Sequence, residues 1–336
     1  MALTEADQIS DIAFGFMGSK ALFAALHVGL FTALAEGPAS AEDLAPRVDL
    51  HPERCRTLLT ALTALDLVTF EHDLYANSPA ADAFLVKGRK YDFGDYLRLQ
   101  VDRQMYGLLD QIEDALRGRL PEEATRSYAD WFSDPKAARL YSESQHAGSL
   151  GPARTLARRI DLSRARTLLD VGGGTGAMAI TLCEANPALT AVIVDFPNVA
   201  ALGETYVAEA GLSDRIRYAP GDALSADWPE GRDAILMSYL FSGVPDHAHE
   251  DLIARAHRHL APGGRLLIHD FMVRADRQGP KNAALWQLQH TAFTPEARSL
   301  DDGWLKDRLL AAGFETVSVS PLIPGMTMLA EAVRGG

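Results

Sequence analysis

The chain has 336 residues, of which 47% are hydrophobic and 23% charged, a composition typical of a soluble globular protein with two or three domains. Its formal net charge of −13 disfavours nucleic acid and anionic membranes as partners, because both would repel an acidic surface. Cys55 and Cys183 lie far apart without metal-ligand spacing, so we expect buried thiols, no structural metal and a reducing, cytoplasmic compartment.

An apolar stripe at helical spacing near the N-terminus predicts an amphipathic helix. The apolar stretch 14–34 is interrupted by Ser19, Lys20 and His27, and no basic region or cleavage site accompanies it. We therefore expect neither a membrane span nor a secretion signal. The stripe consists of Phe16, Leu22, Leu26 and Leu30.

The next elements have the order of a winged helix. Residues 41–48 and 52–65 predict a helix-turn-helix, and 67–71 and 73–77 predict two short strands around a turn. The second helix carries only Arg54 and Arg56 as basic residues, and no basic cluster follows it. This pattern favours a mainly helical dimerisation domain over residues 1–88, with DNA binding as the weaker alternative.

A helical linker is predicted over residues 89–160, which are rich in aromatic and polar side chains. Strands and helices then alternate, which predicts a parallel sheet with right-handed crossovers over residues 161–336. The last two strands, 315–320 and 327–333, are joined by so short a link that they must be antiparallel. The preceding strands are predicted at 167–171, 191–195, 216–219, 234–239 and 265–271.

The most informative segment is a strand that enters a glycine-rich turn, residues 168–176, before a helix over 177–185. Glycines let the backbone approach a ligand closely, and the helix start offers free N–H groups. Asp195 ends the second strand about 20 residues on and suits a ribose diol, while Asp222 follows the third strand beside a predicted adenine. The sequence therefore predicts a nucleoside cofactor. The late position of the motif and the antiparallel end of the sheet speak against a dinucleotide.

These segments together resemble the class I S-adenosylmethionine (SAM) methyltransferases, and more narrowly the family of caffeate and acetylserotonin O-methyltransferases. Residues 170–176, 195–197, 221–222, 261–266 and 311–314 carry the resemblance, which covers nearly the whole chain. It implies a Rossmann-like α/β domain that binds SAM, a winged-helix homodimerisation domain and a small-molecule acceptor. The implied cofactor contacts are Asp170, Gly172, Gly174, Asp195, Phe196, Asp222, Ala223 and Ser238.

The chain departs from this family at the general base. The family carries a His-Asp pair beyond the fourth strand, and alignment places Ser242 and Gly243 there. Of the carboxylates that would orient the histidine, only Asp270 survives, and the second aligns near Ala297. A serine hydroxyl is not a base near neutral pH, whereas imidazole titrates near 6.5. A positioned base typically contributes about 10²–10⁴-fold, so we expect an acceptor that attacks without one.

Two nearby histidines could replace the missing base. His247 and His249 are expected to head the next helix at the protein surface. Their alternative interpretation is that of solvated residues at a helix N-terminus.

Transfer to sulfur is the leading hypothesis for the reaction. A thioether sulfur has a lone pair of electrons and no proton to lose. In lacking the His-Asp pair, the chain resembles the bacterial enzymes of dimethylsulfoniopropionate synthesis, which act on 4-methylthio-2-hydroxybutyrate. The alternatives are O- or C-methylation of an aromatic secondary metabolite, a SAM-binding protein without catalysis, and a winged-helix regulator. The candidate acceptor-pocket residues are Arg103, Tyr106, Tyr141, Gln145, His146, Tyr239, Trp286 and His290.

Overall fold

A computed structural model describes residues 2–120, 128–294 and 296–336 of the chain. The chain divides into two units, Met1–Gln104 and Met105–Gly336. The predicted linker over residues 89–160 is therefore divided between the two units. A π-helical stretch, Tyr96–Met105, carries the chain from one unit into the next.

The N-terminal unit begins with helix α1 (Ala6–His27), which ends before Leu30, the last residue of the predicted stripe. Gly29 turns the chain with a φ of 72°, so Leu30 opens a separate helix, α2 (Leu30–Leu34), and the stripe does not continue through one helix. By length and composition alone α1 could cross a membrane, and 11% of its most apolar window is buried within the chain. One such helix is weak evidence for a membrane span, since core helices and signal sequences share these properties.

The rest of the N-terminal unit has the predicted helix-turn-helix and a two-stranded wing. Its second helix starts at Pro52, whose fixed φ and missing N–H suit the first position of a helix. The apolar sides of these elements enclose a core that includes Cys55 and Leu59, both fully buried. The elements are α3 (Ala41–Leu44), a 3₁₀ turn (Ala45–Val48), α4 (Pro52–Ala64), β1 (Val68–Glu71), β2 (Leu74–Asn77) and α5 (Pro79–Phe84).

The C-terminal unit is built on a seven-stranded sheet with the order β5-β4-β3-β6-β7-β9-β8. Neighbouring strands from β5 to β7 are parallel, and β9 pairs antiparallel with β8, as predicted, and also with β7. The strands are β3 (Thr167–Val171), β4 (Thr190–Asp195), β5 (Ile216–Pro220), β6 (Arg232–Ser238), β7 (Leu260–Asp270), β8 (Phe314–Ile323) and β9 (Thr327–Arg334).

Alternating side chains of these strands feed two apolar layers, one on each face of the sheet. Leu169 and Ile235 belong to one layer, and the neighbouring Leu168 and Leu236 belong to the other. The described helices of this unit are α6 (Tyr106–Leu109), α7 (Ile112–Leu116), α8 (Tyr128–Ser133), α9 (Pro135–Arg159), α10 (Ala177–Ala185), α11 (Pro197–Glu209), α12 (His249–His259), α13 (Lys281–Phe293) and α14 (Asp302–Ala311). Helices α12 and α14 contribute buried residues to the layer of Leu169, and α9, α10 and α11 contribute to that of Leu168.

Several strand ends differ from the sequence prediction, and three of them have a clear structural reason. Strand β6 ends at Ser238 because Tyr239 adopts a φ of 59°, which an extended strand cannot contain. Strand β7 starts at Leu260, five residues earlier than predicted, since Leu260 pairs with Arg232 ahead of a bulge. Strand β8 continues through Pro321, which is tolerated because β8 lies at the edge of the sheet.

Candidate active site

A cavity of about 320 Å³ lies in the C-terminal unit, at the carboxyl ends of β3, β4 and β6. The strand order reverses at β3, because β4 and β5 lie on one side of it and β6 and β7 lie on the other. Ligands of open α/β sheets bind at such a topological switch point. All of the predicted cofactor contacts line it, namely Asp170, Gly172, Gly174, Asp195, Phe196, Asp222, Ala223 and Ser238.

The glycine-rich turn brings bare backbone to the cavity wall. Gly172 and Gly174 adopt φ values of 67° and 60°, a region that residues with a Cβ rarely enter. A Cβ added at Gly174 would meet nothing within 4 Å, so a side chain there would extend into open space beside the cavity. Because Gly174 has no side chain, a ligand can approach the backbone of the turn closely from the cavity.

Asp195, at the end of β4, holds the turn and is buried. Its carboxylate accepts hydrogen bonds from the backbone N–H groups of Gly174, at 2.7 Å, and of Phe196, at 2.8 Å. Burial raises its pKa to about 6, although these two bonds oppose the shift. Each carboxylate oxygen can accept more than one bond, so Asp195 can still receive hydroxyl donors from a ligand.

Asp170, at the end of β3, is fully buried and has no hydrogen-bond partner on either carboxylate oxygen within the described residues. Burial, and then the charge of Asp195, raise its pKa to about 7, and only a weak contact with the backbone N–H of Ala179 opposes the shift. A buried carboxylate without partners is costly, and its presence beside a cavity indicates a ligand that supplies donors or positive charge.

The loop after β5 is held from behind by Arg255 on α12. The Arg255 guanidinium donates to the backbone carbonyls of Ala223 and Leu224, at 3.1 and 2.6 Å, and to that of Ala226. Its guanidinium carbon also lies 4.0 Å from the centre of the Trp228 ring. Arg255 thus fixes the loop that carries Asp222 and Ala223 to the cavity.

The charges around the cavity have one sign. Asp170, Asp195 and Asp222 line it, and no Lys, Arg or His occurs among its described lining residues. Such a cavity attracts a cationic ligand and repels an anionic one. The pyrophosphate of a dinucleotide would be disfavoured here.

The side of the cavity formed by α8 and α9 is aromatic. Tyr128, Phe132 and Tyr141 line it, with the Phe132 and Tyr141 rings 5.1 Å apart between centroids. Gln145 donates to the Tyr141 hydroxyl at 3.0 Å, and burial raises the pKa of that hydroxyl above its ordinary value. This wall offers flat apolar surface with a few neutral polar groups.

The Ser242–Gly243 segment, which the sequence alignment placed opposite a His-Asp pair, has no base in it. Ser242 is buried, and its backbone N–H donates to the Asp270 carboxylate at 3.0 Å. Burial raises the pKa of Asp270 to about 6. A Cβ added at Gly243 would lie 3.0 Å from the Tyr128 ring, so an acidic side chain there would require this ring to shift.

The expectation that both nearby histidines lie at the surface is wrong for His249. His247 is exposed, but His249 is fully buried and stacks on Phe241, with their ring centroids 5.0 Å apart. The His249 Nε2–H donates to the Phe241 carbonyl at 2.8 Å. Neither histidine occurs among the described lining residues of the cavity.

The predicted acceptor contacts are only partly brought together. Tyr141, Gln145 and Tyr239 line the cavity. Arg103 lies in the N-terminal unit with 66% of its side chain exposed, 3.9 Å from Asp102. Tyr106 is half-buried near the start of the C-terminal unit and does not occur among the described lining residues.

The three other predicted acceptor contacts also lie outside the described lining. His146 bonds the Thr175 hydroxyl at 2.7 Å, and burial lowers its pKa to about 4. Trp286 stacks on Phe271 at 4.3 Å between centroids. His290 is buried beside Gln289, and burial lowers its pKa to about 4.

Several residues that shape the cavity were not predicted. Tyr128 and Thr294 line it, and Tyr218 and Arg255 hold the loops that do. A glycine inside a helix, Gly203, is the one sequence signal that could have indicated Tyr218, since its missing side chain makes space for that ring.

Comparisons with known proteins agree with this geometry. A model of the O-methyltransferase domain matches residues 124–315, and one of the O-methyltransferase dimerisation domain matches residues 10–87. The chain is 34% identical to the 3-hydroxy-5-methyl-1-naphthoate 3-O-methyltransferase of Streptomyces sahachiroi, over 83% of this chain and 81% of that one. It is 33% identical to the N,N-dimethyltransferase OxyT of Streptomyces rimosus, over 80% and 79% of the two chains.

Among solved structures, human N-acetylserotonin methyltransferase in complex with SAM has the same fold. Its TM-score is 0.87 over the full length of both chains, at 22% sequence identity. The residues of the cavity fit this cofactor. SAM has two cationic groups, a sulfonium and an ammonium, and one carboxylate, so its net charge is positive. The three carboxylates of the cavity, which include the partnerless Asp170, favour such a ligand.

Proposed function

Because this chain belongs to the O-methyltransferase family and is a SAM-dependent methyltransferase, we propose that it methylates a planar aromatic metabolite that reaches the cavity as a ready nucleophile. SAM supplies an electrophilic methyl group when it is bound. The observation that carries the proposal is one cavity with carboxylates and glycines on one side, aromatic rings on the other and no cation among its described lining residues.

The aromatic wall supports a flat acceptor. Aromatic rings prefer offset or edge-to-face contacts with other rings, and Tyr128, Phe132 and Tyr141 already contact one another in this way. An aromatic acceptor placed among them would lose water contact on both faces. The relatives named above act, by their names, on a naphthoate oxygen and on nitrogen.

The absence of a base in the Ser242–Gly243 segment supports an acceptor that needs no deprotonation by the protein. An aromatic amine and an electron-rich ring carbon meet this condition without bringing negative charge into the cavity. The contribution of the chain is then alignment, since holding the reacting atoms at about 3–3.5 Å can remove several kcal/mol of the barrier.

The thioether acid predicted as the leading acceptor has less support. A small carboxylated substrate needs a cationic anchor, best an arginine fork, and the described lining residues include none. Three carboxylates would repel its charge. S-methylation stays a prediction, and the aromatic alternative fits the cavity better.

The N-terminal unit supports a homodimer more than a DNA-binding regulator. Its dimerisation-domain match begins at residue 10 and so covers most of α1, a helix that exposes Ile9, Ile12 and Phe14 by 60% or more of their surface. On the helix that would contact DNA, Arg56 pairs with Glu42 and Glu53. Those ion pairs neutralise one of its two arginines.

Calorimetric titration of the protein loaded with S-adenosylhomocysteine tests the proposed acceptor. We expect 1-naphthol to bind and 4-methylthio-2-hydroxybutyrate not to bind. Tyr141→Leu should weaken naphthol binding, whereas Tyr206→Leu, which alters a ring that stacks on His146 away from the cavity, should not. Binding of the thioether acid alone would overturn the proposal.

A further inference from the structure

A buried histidine on β7 links the cavity residue Ser238 on β6 to Thr327 on β9. Ser238 ends β6 and lines the cavity, and it pairs in register with His269 on β7. The Ser238 hydroxyl lies 2.9 Å from His269 Nδ1, and the Thr327 hydroxyl lies 2.9 Å from His269 Nε2. Both His269 and Thr327 are buried to 1% exposure or less.

The hydrogen bonds of Thr327 decide which ring nitrogen carries the proton. Within the described residues, its hydroxyl has no hydrogen-bond partner other than His269 Nε2. If Nε2 carried the proton, it would donate to Thr327, and the Thr327 O–H would be a buried donor without an acceptor. If Nδ1 carries the proton, Thr327 donates to Nε2 and every buried donor is satisfied.

We infer that His269 is a positioning residue that turns the Ser238 hydroxyl proton toward the cavity. In this arrangement the Thr327 O–H donates to Nε2 and the Nδ1–H donates to the Ser238 oxygen. The oxygen then has its own proton free to donate into the cavity.

Two further features keep this arrangement fixed. Burial lowers the pKa of His269 to about 3, so the ring is neutral and holds one proton over the physiological range. The Tyr239 ring packs edge-on against His269, with centroids 4.5 Å apart, and Tyr239 holds a φ of 59° to do so. A bulky residue in the left-handed region is strained, and such strain concentrates at functional sites.

The inference rests on the proposed function for its ligand, which is the carboxylate of the methionine part of SAM. That group is the one anionic part of a cationic cofactor, and it enters a cavity that three aspartates line. Without a described cation in the lining, it needs neutral donors. Ser238, aimed by His269, supplies one.

The first test is the ¹⁵N NMR spectrum of His269, which distinguishes the protonated from the unprotonated ring nitrogen without any ligand. We expect the proton on Nδ1 in the wild-type protein and in Thr327→Ser, and loss of this preference in Thr327→Val. A wild-type proton on Nε2 overturns the inference and leaves the proposed function intact.

The second test compares two ligands by calorimetry. S-adenosylhomocysteine has the amino-acid part, and 5′-methylthioadenosine lacks it. Ser238→Ala should weaken the binding of S-adenosylhomocysteine about tenfold and leave the affinity for methylthioadenosine unchanged. Thr327→Val should have a smaller effect of the same kind, and Thr327→Ser should have none. Equal losses for both ligands overturn the inference. Failure of the wild-type protein to bind either ligand counts against the proposed function instead.

Discussion

The hydroxyl of Tyr218, on β5, donates to the carbonyl oxygen of Gly174 in the glycine-rich turn, at 3.0 Å. The ring reaches this position across Gly203 on α11, where an added Cβ would lie 1.9 Å from the Tyr218 hydroxyl oxygen. A tyrosine on β5, which does not itself line the described cavity, therefore fixes the backbone of the glycine-rich turn that does.

Replacing Tyr218 with Phe should weaken cofactor binding without unfolding the protein. The change removes one hydrogen bond, worth about 1 kcal/mol, and the freed Gly174 carbonyl lets the turn move. We expect S-adenosylhomocysteine to bind about fivefold more weakly by calorimetry. Unchanged affinity would show that the turn is fixed by other contacts.

Gly203→Ala should destabilise the fold, although alanine is the better helix former. The added methyl group collides with Tyr218, and such overpacking costs about 1–3 kcal/mol. The matched control is Gly107→Ala on α6, where an added Cβ meets nothing within 4 Å. Urea unfolding should show a lower midpoint for Gly203→Ala and no loss for the control.

Asp195→Asn should both weaken cofactor binding and reduce its dependence on pH. Burial raises the pKa of Asp195 to about 6. Ribose hydroxyls donate to the ionised carboxylate, so binding releases the proton that the free protein holds below that pH. Affinity of the wild-type protein for S-adenosylhomocysteine should therefore rise from about pH 5 to 7 and then level off. A variant with wild-type affinity and the same slope would contradict the cofactor assignment of Asp195.

Ser242→Ala should have little effect on turnover. The substitution removes the hydroxyl that bonds the Asp270 carboxylate but retains the backbone N–H that bonds it too, and a serine hydroxyl is not a base near neutral pH. We expect a loss in kcat of less than about tenfold, against about 10²–10⁴ for a lost base. A thousandfold loss in a folded variant would show that Ser242 belongs to the chemistry.

Arg255→Met should act on cofactor affinity from outside the cavity. The variant loses the donors that hold the carbonyls of Ala223, Leu224 and Ala226, and with them the position of the adjoining Asp222. We expect binding of S-adenosylhomocysteine to weaken about three- to tenfold. Arg258→Met, which alters an exposed arginine on the same helix, is the control and should bind as the wild-type protein does.

The residues of the cavity that were predicted from the sequence are those set by local backbone structure. The glycines of the turn and the acids at strand ends occupy positions that strand direction and turn geometry dictate, so Gly172, Gly174 and Asp195 fall where the motif places them. The same logic applies to the order of strands and the antiparallel end of the sheet.

Residues whose placement depends on distant packing were not predicted. Tyr128 joins the cavity wall by packing on Phe293, which is far away in the sequence, at 4.8 Å between centroids. His249 is interior because its ring stacks on Phe241, a contact that the polar sequence around it conceals. Arg103 was expected at the acceptor, but it lies in the N-terminal unit as an exposed side chain.

The most direct test of the account is the ¹³C NMR spectrum of the product formed from methyl-labelled SAM and 1-naphthol, with 4-methylthio-2-hydroxybutyrate as the competing acceptor. The methyl shift reports whether the new bond is to oxygen, carbon or sulfur. We predict a labelled methyl group on the aromatic acceptor, at oxygen or at a ring carbon. A labelled sulfonium as the sole product would contradict the account.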